Sequence, residues 1–246
     1  MRLSNSYQET KHILIIILLL TVIFSFNDGS EIFNASNYAI NFILALVLVT
    51  LSILVHLFVL KFSGKHYGVS PTFRLWSLEE FINLHPVTWK KTKSFHANFS
   101  GPILAILITL ISNGKAFFTA LFTFDIKNTK TIGRPYANIT EKEIGQIAFL
   151  LIFSHFLLVV LFKLLNINLG VRINTWIIVW NLIPFSTLIG ARIFFGSRVL
   201  YIFTLTISIA TLTLIGILST TVALIISIVF AILLVALFLW YIESKL

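Results

Sequence analysis

The sequence predicts an all-α fold: a polytopic transmembrane bundle of about six or seven helices, with an interfacial or re-entrant segment after the second helix. Of the 246 residues, 58% are hydrophobic and only 11% are charged, and the mean hydropathy is +0.98. Soluble domains carry about a quarter charged residues, so this chain has too few charges to cover a water-soluble surface. Long apolar runs in lipid favour helices, because a helix satisfies its own backbone polar groups.

The first two apolar runs cover residues 13–26 and 38–62. The first is short for a span of about 20 residues, and a signal peptide is the competing interpretation. No small-x-small cleavage site precedes Asp28 and Gly29, so we expect an uncleaved helix. The second run is long enough to span, and its interior holds one ionisable residue, His56.

Residues 63–100 are too polar to span and too apolar for a free linker. This segment holds five basic residues, two acids, two tryptophans and the histidines His66, His85 and His96. We expect it to lie at the membrane interface or to dip back into the protein. Its basic excess indicates the cytoplasmic side.

The remaining apolar runs cover residues 101–124, 145–165, 173–195 and 199–241. The first of these is broken by a polar stretch at residues 112–115, which makes it a candidate broken or re-entrant element. The last is too long for one helix, so we expect a C-terminal hairpin over residues 199–243 that turns near residues 219–221. The whole chain, residues 1–246, is interpreted as one membrane domain.

The net charge of +9 and the absence of cysteine limit the classes of function. The basic residues cluster between apolar runs, where they set membrane orientation, so we expect no nucleic-acid partner. Without cysteine the chain has no disulfide, no thiolate nucleophile and no cysteine zinc site. Membrane lipids are the first expected partners, and the expected location is the cell membrane.

Three segments carry a pattern of fixed spacing. The first reads HLFVLKFSGKHYG over residues 56–68 and is followed by FRLW at residues 73–76. The second is SGP at residues 100–102, and the third reads NLIPFSTLIG over residues 181–190. In order and spacing these segments resemble the site-2 protease family of intramembrane zinc metalloproteases, over about residues 38–195.

The resemblance implies a chemical role for particular positions, and most of these positions carry apolar side chains that cannot perform it. It aligns His56 with the family's first zinc-binding histidine, but Leu57 replaces the general-base glutamate and Leu60 replaces the second histidine. Ile189 replaces the zinc-binding aspartate, and Ala105 replaces an asparagine. A hydrolytic zinc site needs three protein ligands, a bound water and a base, so we expect no catalytic residue, no metal ligand and no cofactor.

The leading interpretation is therefore a catalytically inactive site-2-protease-like protein that binds or regulates membrane proteins or their transmembrane segments. The resemblance places Asn181 and Pro184 beside the bound substrate, so these two residues are the candidate binding site. A structural kink is an equally weighted interpretation, because proline removes a helical hydrogen bond. For His56 a neutral, hydrogen-bonded imidazole is favoured over a vestigial ligand.

Two other classes of function stay open. The first is an active zinc protease with unusual ligands, drawn from histidines such as His66, His85, His96 and His155. None of them has a His, Asp or Glu four residues away, which disfavours this alternative. The second is a transporter or channel. A coupled transporter needs an ionisable group such as an acid inside the membrane, and the apolar runs contain no evident acid for this role. The resemblance also implies that Leu60 and Ile189 approach each other at a similar depth.

Overall fold

The computed structural model describes residues 2–26, 35–76, 100–128, 139–185 and 187–243. Part of the predicted interfacial segment lies outside these residues, namely Glu79, Glu80, His85, Lys90, Lys91, Lys93 and His96. Within the described ranges the chain forms eight helices and two strands. They are α1 (Arg2–Ser25), α2 (Ala35–His66), β1 (Val69–Leu75), α3 (Ser100–Ile111), β2 (Phe122–Asn128), α4 (Glu141–Leu164), α5 (Asn168–Leu182), α6 (Ile189–Gly196), α7 (Arg198–Leu214) and α8 (Thr220–Glu243).

Four of these helices are long and apolar enough to cross a membrane, which indicates a membrane protein. Their candidate spans are Tyr7–Ser25, Ala35–His66, Glu141–Leu164 and Thr220–Ile242. The first span is longer than the apolar run in the sequence suggests, because the helix continues toward the amino terminus through polar residues. A length of 19 residues is close to the roughly 20 that a bilayer core requires.

The fold is mostly helical, but it departs from the prediction of an all-α bundle in two ways. β1 and β2 form a two-stranded antiparallel sheet in which Phe73 pairs with Phe124. Neither strand was predicted: β1 lies in the predicted interfacial segment, and β2 covers the end of the apolar run 101–124 and the start of the polar loop after it. The helices in the described residues also exceed six or seven, because the run at residues 173–195 is divided into α5 and α6 at Pro184.

Contacts divide the chain into two compact units. The first contains residues 1–137 and 185–188, with α1, α2, α3 and the sheet. There α1 packs on α2, and β1 folds back along both helices. The α3 helix ends where the sequence is broken, with Asn113 and Gly114 at positive φ angles of 52° and 69°. At 12 residues, α3 is too short for a simple span.

The second unit contains residues 138–184 and 189–246. In it α4 packs against α5 and α6, and α7 packs along α8 through a turn at residues 215–219. Thr140 begins α4 with a capping box in which its hydroxyl accepts from Glu143 N, while the Glu143 carboxylate accepts from Thr140 N. Gly145 and Gly196 let α4 and α6 cross closely, because a Cβ on Gly145 would lie 2.9 Å from Gly196 Cα.

Candidate functional site

His56 lies in an aromatic environment in the first unit. Its side chain is 1% exposed, and its ring meets Phe73 of β1 at 5.6 Å and Phe122 of β2 at 4.9 Å, edge to face in both pairs. One helical turn further along α2, the buried Leu60 occupies the position that a second metal ligand would need. Phe73, Phe122 and Leu60 are therefore neighbours of His56 that cannot bind zinc.

The residues present do not fit the zinc ion that the family resemblance implies. Leu57, Leu60 and Ile189 carry no donor atom, and Leu60 and Ile189 are fully buried among apolar side chains. Within the described ranges, no group of three or more His, Cys, Asp or Glu side chains is arranged to hold a metal ion. The buried residues pack an apolar interior, and Leu57 stands where the resemblance implies the general-base glutamate.

Glu9 of α1, which no sequence motif marks, holds β1 in place. Glu9 of α1 accepts a hydrogen bond from Phe73 N at 2.9 Å and forms an ion pair with Lys61 of α2 at 2.5 Å. Lys61 Nζ also donates to Pro71 O at 2.7 Å. These bonds join α1 and α2 to the edge of β1, and so fix the strand that brings Phe73 against His56.

Gly64 and Gly101 lie where a larger side chain would clash with a neighbouring segment. Tyr67 and Gly68 form the turn after α2, with Gly68 at a φ angle of 70°, and β1 then returns past Gly64. A Cβ on Gly64 would lie 2.2 Å from Pro71 Cδ, so the strand approaches the helix at the closest distance that sterics allow. Similarly, a Cβ on Gly101 would lie 2.6 Å from Trp76 O.

The segment with Asn181 and Pro184 forms a break between α5 and α6. Asn181 Nδ2 donates to Ile177 O at 2.9 Å, and α5 ends at Leu182 because Ile183, the residue before Pro184, is extended at φ −60° and ψ 124°. Residues that precede proline are biased toward this conformation. Both predicted binding residues therefore have a structural role, in closing the last turn of α5.

Gly190 brings the start of α6 directly onto the end of α5. A Cβ at this position would lie 2.3 Å from Leu182 O and 2.9 Å from Asn181 O. Leu182 O also accepts a hydrogen bond from the Tyr201 hydroxyl at 3.1 Å, which ties the same carbonyl to α7. Asn181, Pro184 and Gly190 of the third segment thus all contribute to one tight turn between α5 and α6.

Asn181 retains one unused hydrogen-bonding atom. The side chain is fully buried, and Oδ1 has no hydrogen-bond partner among the described residues. Buried polar atoms are rarely left in this state, and those that remain call for an explanation. Ser208 Oγ and Thr211 Oγ1 of α7 are in the same state, and Asn181 differs from them in preceding the non-helical Ile183 and Pro184.

A second polar pair in this unit joins α4 to α5. His155 Nδ1 lies 2.8 Å from Asn174 Oδ1, and Asn174 Nδ2 donates to Gly170 O at 2.9 Å. Because the Asn174 oxygen can only accept, His155 Nδ1 carries the proton and the ring is assigned the Nδ1–H form. The apolar run around His155 predicts its place inside a helix, but no local pattern predicts its partner, which lies 19 residues further along the chain.

Loss of this pair is expected to lower stability by about 1 kcal/mol, the scale of interhelical hydrogen bonds in membranes. Asn174→Leu and His155→Leu, alone and combined, form a double-mutant cycle read out by thermal unfolding in detergent. We expect a coupling free energy of at least about 0.5 kcal/mol. Additive losses would contradict a direct bond between the two side chains.

The predicted site residues belong to separate parts of the molecule. His56, Leu57 and Leu60 lie in the first unit, whereas Asn181, Pro184 and Ile189 lie in the second. Comparison of the chain with known protein families, with curated proteins and with solved structures finds no match.

Proposed function

We propose that this chain is a catalytically inactive relative of the site-2 proteases, a multi-pass protein of the cell membrane that binds and regulates other membrane proteins. The observation that carries the proposal is the buried Leu60, one turn beyond a His56 ring enclosed by Phe73 and Phe122. Because the replacements are aliphatic and packed, the backbone pattern of the family is kept while the metal chemistry is removed.

His56 is the one ligand position of the resembled site that keeps its residue type, and energetics favour apolar replacements at the other positions. A single ligand or an acid left in a buried membrane interior is costly unless it is paired. Replacing the remaining positions by leucine and isoleucine removes that cost and adds apolar packing. Complete burial of Leu60 and Ile189 supports this account of the chain as a stable scaffold.

Binding of a partner is supported by the break after α5. Asn181 Oδ1 is a buried acceptor without a hydrogen-bond partner in the described residues, and it adjoins the non-helical Ile183 and Pro184. An unwound segment in a transmembrane helix of a partner exposes backbone N–H groups that lipid cannot satisfy. The exposed Ile183 and Pro184 are the surface that the partner contacts, and the buried Asn181 oxygen accepts a bond from such a group once the break opens.

Zinc content tests the inactive scaffold. The purified chain, expressed with added zinc, is expected to hold far less than one zinc ion per molecule, and His56→Ala is expected to leave that value unchanged. Stoichiometric zinc in the parent chain that is lost on His56→Ala would overturn the proposal.

Cysteine crosslinking provides an independent control on the implied scaffold. The chain has no cysteine of its own, so Leu60→Cys combined with Ile189→Cys introduces a single pair. Disulfide formation requires Cα atoms within about 7 Å, and the family resemblance requires that these positions meet. Failure of the pair to crosslink under oxidation, with each single variant folded, would contradict the resemblance.

Partner binding is tested by photocrosslinking in membranes. A photoreactive residue at Asn181 is expected to trap a discrete set of membrane proteins. The same probe at Val179, which is 43% exposed on the same helix, is the matched control and is expected to trap lipid. Equal capture at the two positions would contradict a binding site at the break.

A further inference from the structure

A cleft of about 330 Å³ lies in the second unit, where α4, the start of α7 and the part of α8 around Val235 meet. Lys142 and Gln146 line it from α4, one helical turn apart, and Ser197 lines it from the amino-terminal cap of α7. The rest of the lining is apolar and consists of Val199, Leu200, Phe203 and Val235. The cleft therefore has a polar group of residues and an apolar group.

The polar and apolar groups lie at different positions along the helix axes. Lys142 is in the first turn of α4 and Ser197 immediately precedes α7, so both lie at helix ends. Phe203 is six residues beyond Ser197, about 9 Å further along the helix axis. The polar mouth is thus at the end of the bundle, and the apolar walls continue toward its middle.

Neighbouring residues place this mouth at the level of a membrane surface. Trp240 and Tyr241, at the end of α8, are 68% and 52% exposed, and aromatic residues of this kind anchor helix ends at the headgroup level. Arg198 is exposed, and its guanidinium carbon lies 5.9 Å from the centre of the Phe194 ring. The α4 and α8 helices, which both border the cleft, are long enough to span.

We infer that this cleft binds one membrane phospholipid with an anionic headgroup. The phosphate lies against Lys142, with Gln146 and Ser197 as polar neighbours, and the first part of an acyl chain lies along Leu200, Phe203 and Val235. The cleft is at the lower end of the volumes of ligand sites, which suits a headgroup and part of one chain.

Charge complementarity selects the anionic headgroup. Lys142 and Arg198 are exposed cations at this end of the unit. Of the acids nearby, the Glu143 carboxylate is engaged in the capping box with Thr140, and Glu141 precedes Lys142 in the same turn. A lysine near an anionic membrane surface contributes about 1 kcal/mol. The cleft shares no residue with the proposed partner site, so the two proposals can fail independently.

Native mass spectrometry of the detergent-purified full chain tests the inference. With phosphatidylglycerol we expect one tightly bound lipid, and with phosphatidylcholine of the same chains about fivefold weaker binding. Lys142→Gln should remove this preference, and Val235→Phe should weaken binding of both lipids by filling the apolar part. Lys163→Gln, at the opposite end of α4, is the matched control and should change nothing.

Three results would overturn the inference. Equal loss on Lys142→Gln and Lys163→Gln would indicate diffuse attraction of anions. Competition by soluble glycerol phosphate as strong as that by the lipid would indicate a simple anion site. Unchanged lipid binding in both folded cleft variants, Lys142→Gln and Val235→Phe, would place any bound lipid elsewhere.

Discussion

Gly190→Ala is expected to destabilise the protein by about 3 kcal/mol, the upper end of the cost of overpacking. The added Cβ would lie 2.3 Å from Leu182 O and 2.5 Å from Leu182 C. These are backbone atoms of a helix end, so they cannot move away as a flexible side chain can. Movement of Leu182 O would also weaken its hydrogen bond from Tyr201.

Helix propensity would by itself make Gly190→Ala stabilising, which is opposite to the expected steric effect. Alanine in a helix is favoured over glycine by about 1 kcal/mol, so any net loss reports the steric conflict. The matched control is Gly216→Ala, where a Cβ would lie 3.7 Å from its nearest neighbour, Thr213 O. Thermal unfolding in detergent should separate the two variants, and equal midpoints would show that α6 does not contact the end of α5 as described.

Glu9→Ala is expected to cost about 2 kcal/mol, mainly because Phe73 N loses its acceptor. An unsatisfied buried donor costs about 1–3 kcal/mol, and Phe73 is 1% exposed. The ion pair contributes less, because the Lys61 side chain is 48% exposed and exposed pairs contribute at most about 1 kcal/mol. Loss of β1 would also expose one side of the His56 ring.

Three further variants separate the hydrogen bond from the charge. Glu9→Gln keeps an acceptor for Phe73 N and should cost less than Glu9→Ala. Lys61→Ala should also have a small effect, and Lys65→Ala, one turn later on the same helix and exposed, should have none. If Lys61→Ala and Glu9→Ala lower the unfolding midpoint equally, the ion pair is the dominant interaction and this account of Glu9 is wrong.

The candidate site was predictable only in part, for reasons that particular residues make clear. The break at Pro184 and the turn at residues 112–115 follow from local backbone chemistry, because proline and glycine act on their own segment. The pairing of His155 with Asn174 and of Glu9 with Phe73 joins residues 19 and 64 positions apart. No local pattern distinguishes those residues from unpaired ones.

The strands illustrate the same limit. Residues 69–75 alternate in burial, but their apolar content is also compatible with an interfacial helix, and short apolar runs do not distinguish strand from helix. β1 forms because β2, more than fifty residues later, supplies its hydrogen bonds. The aromatic enclosure of His56 depends on that pairing, since Phe73 and Phe122 come from different strands.

The sequence by itself determined that this is a mostly helical membrane protein, and it located the helix-breaking positions. It also showed that Leu57, Leu60 and Ile189 lack the donor atoms that a zinc site requires, because ligand chemistry depends on residue type alone. Only the tertiary structure showed that Glu9 bonds to β1 and that Gly190 allows the start of α6 to pack against the end of α5. Those facts depend on distances between distant segments, and composition and periodicity contain no such distances.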